Sequence, residues 1–283
     1  MKYVEPTSIE EALAFLGEEE DARCIAGGAT LVAMMNADLV SPPRLVGLRL
    51  IDELEGINRT DDGIRIGAMT RHETIANSDM FENGLSVVTR AASQIAHPPI
   101  RRMGTIGGSI SHADPAADFP CALVAANASV EICGADGRRV VPADDFFLGY
   151  YETATGENEL VSAILLPNCP ENTSGEHVKV ARVDGDYATV AVSLVLGMEN
   201  DTCTCARIAV GAVAGQPLHS DEADNKLLGS TLSENDINEA GAILAEAADP
   251  VNDVRGTADY RRRLIPRLLK RAVNNLSGRG VEH

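Results

Sequence analysis

Two stretches of this chain combine paired glycines with hydroxyl residues: AGGAT at 26–30 and GTIGGS at 104–109, about 75 residues further on. Adjacent glycines let successive backbone N–H groups converge with no Cβ between them, which is how a loop forms a concavity for phosphate. Thr30 lies in the first stretch and Thr105 and Ser109 in the second, so each carries O–H groups beside its amides. Two such loops meeting in space would surround a diphosphate without any net positive charge. A plain turn is the competing reading of each glycine pair, and spacing alone leaves both open. No GxGxxG follows the first strand and no GxxxxGK[ST] is present, so neither the dinucleotide fingerprint nor the P-loop accounts for these glycines.

His112, Asp114 and Asp118 offer metal-ligand types within seven residues, but Pro115 breaks any helical register between them and no second histidine cluster completes a site. The six cysteines are Cys24, Cys121, Cys133, Cys169, Cys203 and Cys205. Only CTC at 203–205 is close-spaced, and without a CxxC it signals neither zinc nor an iron–sulfur cluster. Alternation along DTCTCARIAVGAV puts both of its thiols on one strand face, as structural side chains. With 42 acidic against 24 basic residues the net charge is −18. That balance argues against nucleic acid as a partner, because phosphate backbones are bound by clustered Lys and Arg. It suits a salty cytoplasm, and equally an ordinary acidic mesophile; any nucleotide must be held mainly by local amides.

The elements that position these residues follow from local patterns. A length of 283 residues allows two or three compact units. No apolar run approaches the roughly 18 residues of a membrane span, and MKYVEPTSIEEALAFL has acids where a signal peptide is apolar, so a cytoplasmic protein is expected. Thr7 or Ser8 caps a helix with Ile9, Ala12, Leu13 and Leu16 on one face. ARCIAGGATLVAMMNADL runs from a strand through the glycines into a second helix, and a small α+β unit closes near Gly56. Asp62-Gly63 and Asp136-Gly137 mark turns between strands, and GLSVVTRAASQIAHPPI reads as a helix stopped by Pro98 and Pro99. NCPENTSGE at 168–176 has the composition of a linker. Beyond it, the apolar strands YATVAVSLVLGM and CARIAVGAVAG precede two helices, SENDINEAGAILAEAA and ADYRRRLIPRLLKRAVNNL. Strands followed by helices indicate an α+β architecture, divided here as 1–57, 58–173 and 174–283.

The run RRMGTIGGSISHADPAADFP resembles the FAD-binding medium subunit of molybdenum hydroxylases, the family of xanthine dehydrogenase, carbon monoxide dehydrogenase and aldehyde oxidoreductases. AGGAT is similar to that family's first flavin loop. The likeness continues through DFFLGYYETATGENELV, KVARVDGDYATVAVSL, RIAVGAVAGQPLHSDEA and DVRGTADYRRRL, in the family's order over nearly the whole chain. It implies a two-subdomain FAD-binding unit of the vanillyl-alcohol-oxidase-like type, followed by a C-terminal α+β domain of antiparallel strands and helices.

The resemblance also implies roles. Ala26, Gly27, Gly28, Ala29 and Thr30 would cradle the pyrophosphate from one side, and Thr105, Ile106, Gly107, Gly108 and Ser109 from the other. Asp118 would accept a hydrogen bond from FAD, although a helix N-cap before FPCALVAA is the alternative. Lys179 matches a lysine near the flavin ring, where a cation favours the anionic reduced form; a solvated strand-end lysine is the alternative. Tyr187 in GDYATV would approach the flavin face or pack in the core. Arg101-Arg102 stands where the family often has Arg-Asn, and Ala29 where a polar residue is common, departures that leave the backbone donors untouched.

For function, the resemblance implies an oxidoreductase subunit that passes electrons from the [2Fe-2S] clusters of a small partner through FAD to an external acceptor. Molybdopterin would sit on a large partner, and the complex would form a dimer of heterotrimers. A free-standing FAD oxidoreductase is the alternative from another class, although no His or Tyr base is placed by motif beside a flavin. An FAD-free assembly scaffold would leave both glycine stretches unexplained.

Overall fold

The computed structural model describes residues 1–277, so the last six residues of the unit expected at 174–283 lie outside the described residues. Three larger sheets organise the chain. The first contains β1 (Lys2–Val4), β2 (Arg23–Ile25) and β3 (Arg44–Gly47), with α1 (Ile9–Gly17) and α2 (Leu31–Asn36) in the connections. β3 lies between β1 and β2 and runs parallel to both. Ser8 caps α1 by accepting from the Glu11 N–H, and Ile9, Ala12 and Leu16 fill a small core against Val46, Leu48 and Leu54. Helix α2 buries none of its side chains.

The middle portion comprises β4 (Ile57–Thr60), β5 (Gly63–Gly67), α3 (His72–Ala76), α4 (Ser86–Gln94), α5 (Pro98–Arg101), α6 (Ile106–His112), α7 (Asp118–Ala125), β6 (Ser129–Gly134), β7 (Gly137–Pro142), α8 (Ala143–Phe146), β8 (Phe147–Gly149), β9 (Glu152–Thr153) and β10 (Leu160–Pro167). Five of these strands form an antiparallel sheet in the order β4-β5-β10-β6-β7. The prolines act differently from expectation. Helix α4 has already ended at Gln94, and Pro98 and Pro99 open α5, where a missing N–H leaves no helical bond unmade.

The C-terminal portion contains β11 (Thr173–Val180), β12 (Val190–Glu199), β13 (Thr202–Gly211), β14 (Leu218–His219), α9 (Asp221–Leu227), α10 (Glu234–Ala247) and α11 (Ala258–Leu276), its four strands antiparallel in chain order. The linker is shorter than its composition suggested: Thr173–Glu176 pair with Gly197–Leu194 of β12, so only residues 168–172 connect the sheets. Strand β12 is buried on both faces. Val190, Val192, Leu194 and Leu196 enter the core that includes side chains of α10 and α11, while Ala191 and Val195 join the core of the middle portion, which includes α7. Two covered faces explain why β12 reads as a nearly unbroken apolar run. The second and third portions are further tied by Asp144 of α8, which pairs with Arg207 of β13 at 2.5 Å and with His219 of β14 at 3.1 Å.

Candidate functional site

The two glycine stretches meet. From the end of β2 the chain turns through Ala26–Thr30 into α2, with Gly28 at φ +72°. A Cβ on Gly27 would stand 1.8 Å from the Met103 carbonyl oxygen and 3.1 Å from Gly104 Cα, so the two backbones touch. A Cβ on Gly108 would stand 3.7 Å from that of Ala26. The contact that spacing left open is therefore present in the fold.

The stretches are not equivalent, however. GTIGGS is the first turn of α6 rather than a free loop, with Thr105 as N-cap. The amides of Ile106 and Gly107 donate to Thr70 O at 3.0 Å and Ala68 O at 2.8 Å. Those of Gly108 and Ser109 donate to Thr105 Oγ1 at 3.2 Å and Thr105 O at 3.0 Å. Gly107 serves packing, since a Cβ there would lie 2.5 Å from that of Ala68. By contrast, the amides of Gly27, Gly28, Ala29 and Thr30 find no acceptor among the described residues. Thr30 makes no side-chain cap bond either. The junction thus pairs one segment rich in unused donors with a second that presents the exposed Gly108 and the half-buried Ser109.

Asp118 and Lys179 are brought together. Lys179 Nζ donates to Asp118 Oδ2 at 2.9 Å and to the Gln94 carbonyl at 2.9 Å, and both charged side chains are 6% exposed. This corrects two alternatives: Lys179 is not a solvated strand end, and Asp118 is the first residue of α7 rather than its cap, which is Ala117. Sequence reasoning missed the third member. His177, two residues before Lys179 on β11, places Nε2 3.0 Å from Asp118 Oδ1 and Nδ1 2.8 Å from Ser193 Oγ. Ser193 lies opposite it on β12 and also contacts Cys121 Sγ at 2.9 Å. Burial alone would raise the Asp118 pKa, but its hydrogen bonds and attraction to His177 and Lys179 hold it below the usual carboxylate range. Burial likewise opposes charge on His177, but Asp118, with a lesser contribution from Cys121, outweighs it and lifts the imidazole to about 9.

Other expected residues scatter. Asp114 Oδ1 accepts from the Ala116 N–H at 2.9 Å, within its own turn, and does not converge with Asp118. Tyr187 is 39% exposed beneath the Arg255 guanidinium, so it is not a core residue, and burial of its hydroxyl end pushes its pKa up to about 12. Arg101 braces the segment before the glycines through Ile95 O at 2.9 Å and Ala96 O at 2.8 Å, whereas Arg102 pairs with Glu73 at the surface.

Comparison with known proteins gives this junction its context. Residues 1–169 match the family described as the FAD binding domain in molybdopterin dehydrogenase, and residues 177–276 match the CO dehydrogenase flavoprotein C-terminal domain. The chain belongs to this flavoprotein family. The carbon monoxide dehydrogenase medium chain of Afipia carboxidovorans is 37% identical over 98% of this chain and 96% of its own length. The nicotine 6-hydroxylase medium subunit of Paenarthrobacter nicotinovorans is 34% identical, covering 96% of each. Among solved structures, carbon monoxide dehydrogenase from Hydrogenophaga pseudoflava lacking the Mo-pyranopterin moiety superposes with a TM-score of 0.95 at 36% identity, over 99% of this chain and 98% of that one. The flavoprotein is accordingly an oxidoreductase component with an FAD-binding domain and an α+β fold. Its glycine junction fits the cofactor chemically: a diphosphate needs donors without side chains in the way, and Gly27–Thr30 provide four unused amides.

A second buried histidine of the flavoprotein gave no sequence signal. His72 opens α3, donates its backbone N–H to Gly104 O, and packs its ring 5.3 Å from that of Phe119. Its Nδ1 is buried without a partner, and burial pushes its pKa down to about 4. Between that value and the ordinary 6.5, the unfolded chain binds more protons than the folded one. Stability is therefore expected to fall as pH drops from 6.5 to 4, by up to about 3 kcal/mol from this residue at roughly 1.4 kcal/mol per pKa unit. Urea unfolding across that window should be less pH-dependent in His72→Phe; an identical slope in both proteins would refute the assignment.

Proposed function

We propose that this chain is an electron-transfer subunit that takes electrons from the [2Fe-2S] clusters of a small partner and passes them through FAD to an external acceptor. Its relatives are named medium chains and subunits of carbon monoxide dehydrogenase and nicotine 6-hydroxylase, which supports large and small partners, with molybdopterin on the large one; we propose that the complex is a dimer of such heterotrimers. The observation that carries the reading for this chain is the junction itself, where unused amides at 27–30 face the capped start of α6. FAD, when bound, supplies the two-electron chemistry. In this reading the amides of Gly27, Gly28, Ala29 and Thr30, next to Ala26, hold the pyrophosphate, with the Thr30 hydroxyl beside them. Thr105, Ile106 and Gly107 fix the start of α6, so that Gly108 and Ser109 form the opposite wall. Asp118 and Lys179 present a fixed charged pair to the cofactor, and Tyr187 flanks it. The division at residues 57 and 173 separates two cofactor-binding portions from the C-terminal one. Among the described residues no helix is long and apolar enough to cross a membrane, and we place the protein in the cytoplasm.

Mild purification of the assembled protein from its own cells through a tag on this chain tests the reading. One FAD released per chain, with molybdenum and iron–sulfur subunits in the same fraction, is the expected result. The chain alone, loaded with FAD, should be reduced by dithionite yet remain inert toward purines, aldehydes and carbon monoxide. A chain devoid of flavin in every preparation would leave the scaffold reading, and substrate oxidation by the single chain at an undiminished rate would leave the free-standing oxidoreductase.

A further inference from the structure

We propose that His177 is a positioning residue of the flavin site: by holding one oxygen of Asp118, it leaves the buried Asp118–Lys179–His177 group with one positive charge in excess, which favours reduced, anionic FAD over the oxidised form. The inference rests on the FAD reading above and adds a residue outside the glycine stretches.

The geometry carries it. His177 and Lys179 lie two apart on β11 and reach the same carboxylate, one oxygen each, at 3.0 and 2.9 Å. With the contact to Asp118 favouring a protonated imidazole, two cations share one anion in a place where His177 is 1% and Asp118 5% exposed. Among the described residues no second carboxylate is bonded to the side chains of the group, although Cys121 adds to the lift on His177. Glu176, beside His177 on β11, directs its carboxylate to Arg90 of α4 at 3.0 Å and Asn275 of α11 at 3.2 Å. On α7, Cys121 meets Ser193, and on β12 Ser193 itself is uncharged. His72 of α3, on the side of Phe119, is held neutral by burial, and Arg101 is bound to backbone carbonyls.

The group is joined to the junction through Gln94 and the chain segment that follows it, which includes α5. Lys179 donates to the carbonyl of Gln94, Gln94 Nε2 donates to the carbonyl of His177 at 2.8 Å, and the segment that leaves Gln94 ends at Met103–Gly104, against Gly27. Two electrons and one proton turn the neutral flavin ring into an anion, whereas two electrons and two protons leave it neutral. A fixed positive surplus in a low-dielectric setting lowers the cost of the first outcome.

Spectroelectrochemical titration of the flavin in the assembled protein, as a function of pH, tests the proposal. His177→Gln should retain FAD yet lose about tenfold in the preference for the reduced form near pH 7, a fall of about 30 mV for a two-electron couple. The difference from the native protein should vanish as pH rises through about 9, where native His177 gives up its proton. Ser193→Ala keeps the contact to Asp118 but removes the partner of Nδ1, and should move that convergence to lower pH. A His177→Gln protein with full FAD and the native potential at pH 7 overturns the proposal while leaving the FAD reading intact. Should that variant fail to fold, a Ser193→Ala protein with the native pH profile overturns it equally. Absence of FAD from the unmodified assembly would defeat the underlying reading instead.

Discussion

Gly27→Ala is expected to yield a chain without FAD whose melting transition lies roughly 5–10 °C below the native one. The added Cβ would stand 1.8 Å from the Met103 carbonyl oxygen, and the obstacle is backbone, which no rotamer change can relieve. Overpacking of this kind costs about 1–3 kcal/mol, and more where nothing yields; for a chain of this size each kcal/mol corresponds to roughly 2–4 °C. The segment at 103–104 must move away from 26–30, and the site opens with it. Gly108→Val provides the contrast. Around that position a Cβ would meet only Thr105 Oγ1 at 3.0 Å and Ala26 Cβ at 3.7 Å, on the exposed side of α6. The branched side chain should therefore spare most of the fold while occupying the cofactor's space. Released flavin, measured by absorbance, and the melting curve of the apoprotein separate the two variants. A Gly27→Ala protein with native flavin content and native melting would mean that the two stretches do not touch as described.

Asp118→Ala should destabilise the protein by about 3–5 kcal/mol whether or not FAD is bound, because it removes the anion shared by Lys179 and His177 and leaves Lys179 buried without its charge partner. The loss arises from that ion group and not from a helix cap, since Ala117 occupies the cap position. Any contact with FAD would appear as a further loss of about 1–3 kcal/mol in cofactor affinity. The pH dependence has a definite sign. With a folded pKa of about 9 against an ordinary 6.5, His177 contributes stability that is fully present below 6.5 and lost as pH rises through 9. Without Asp118 the imidazole has no reason to stay protonated, so the variant should lack most of that decline. Urea midpoints measured with and without FAD between pH 6 and roughly 9.5 report both effects. Equal midpoints for native and variant apoproteins would show that the three groups are not coupled.

Much of the fold was legible because its signals are local. Ser8 before an amphipathic run and glycines at 63 and 137 between paired strands each act within a few residues. Pro98 and Pro99 misled because proline terminates one helix and begins another equally well, and only the chain direction after Ile95 decides between them. Thr173–Glu176 looked like linker because their composition is polar; their partners lie twenty residues ahead on β12, and tertiary pairing overrode local preference. The glycine stretches could be recognised as a possible cradle, but nothing local states that the amides of 106–109 are already bonded to Ala68, Thr70 and Thr105. His177 did leave a trace: Ser193 is a lone hydroxyl in a strand that is otherwise nearly all apolar, and a polar group buried there requires a partner on the neighbouring strand. His72 left none, since its surroundings come from residues thirty to fifty positions away.

Because β12 is covered on both sides, the order in which the chain is made acquires importance. Domains usually close one after another as they leave the ribosome. Here the core around α7 stays incomplete until Ala191, Val195, Ala209 and Ala212 arrive, and the small N-terminal core waits for Cys133 and Leu160. Until those residues arrive, the faces of α7 that meet β12 and β13 are uncovered, and a product truncated near residue 169 would keep them so. The portion matching the FAD-binding domain is thus a separable unit of sequence whose main core is completed by side chains from beyond its end.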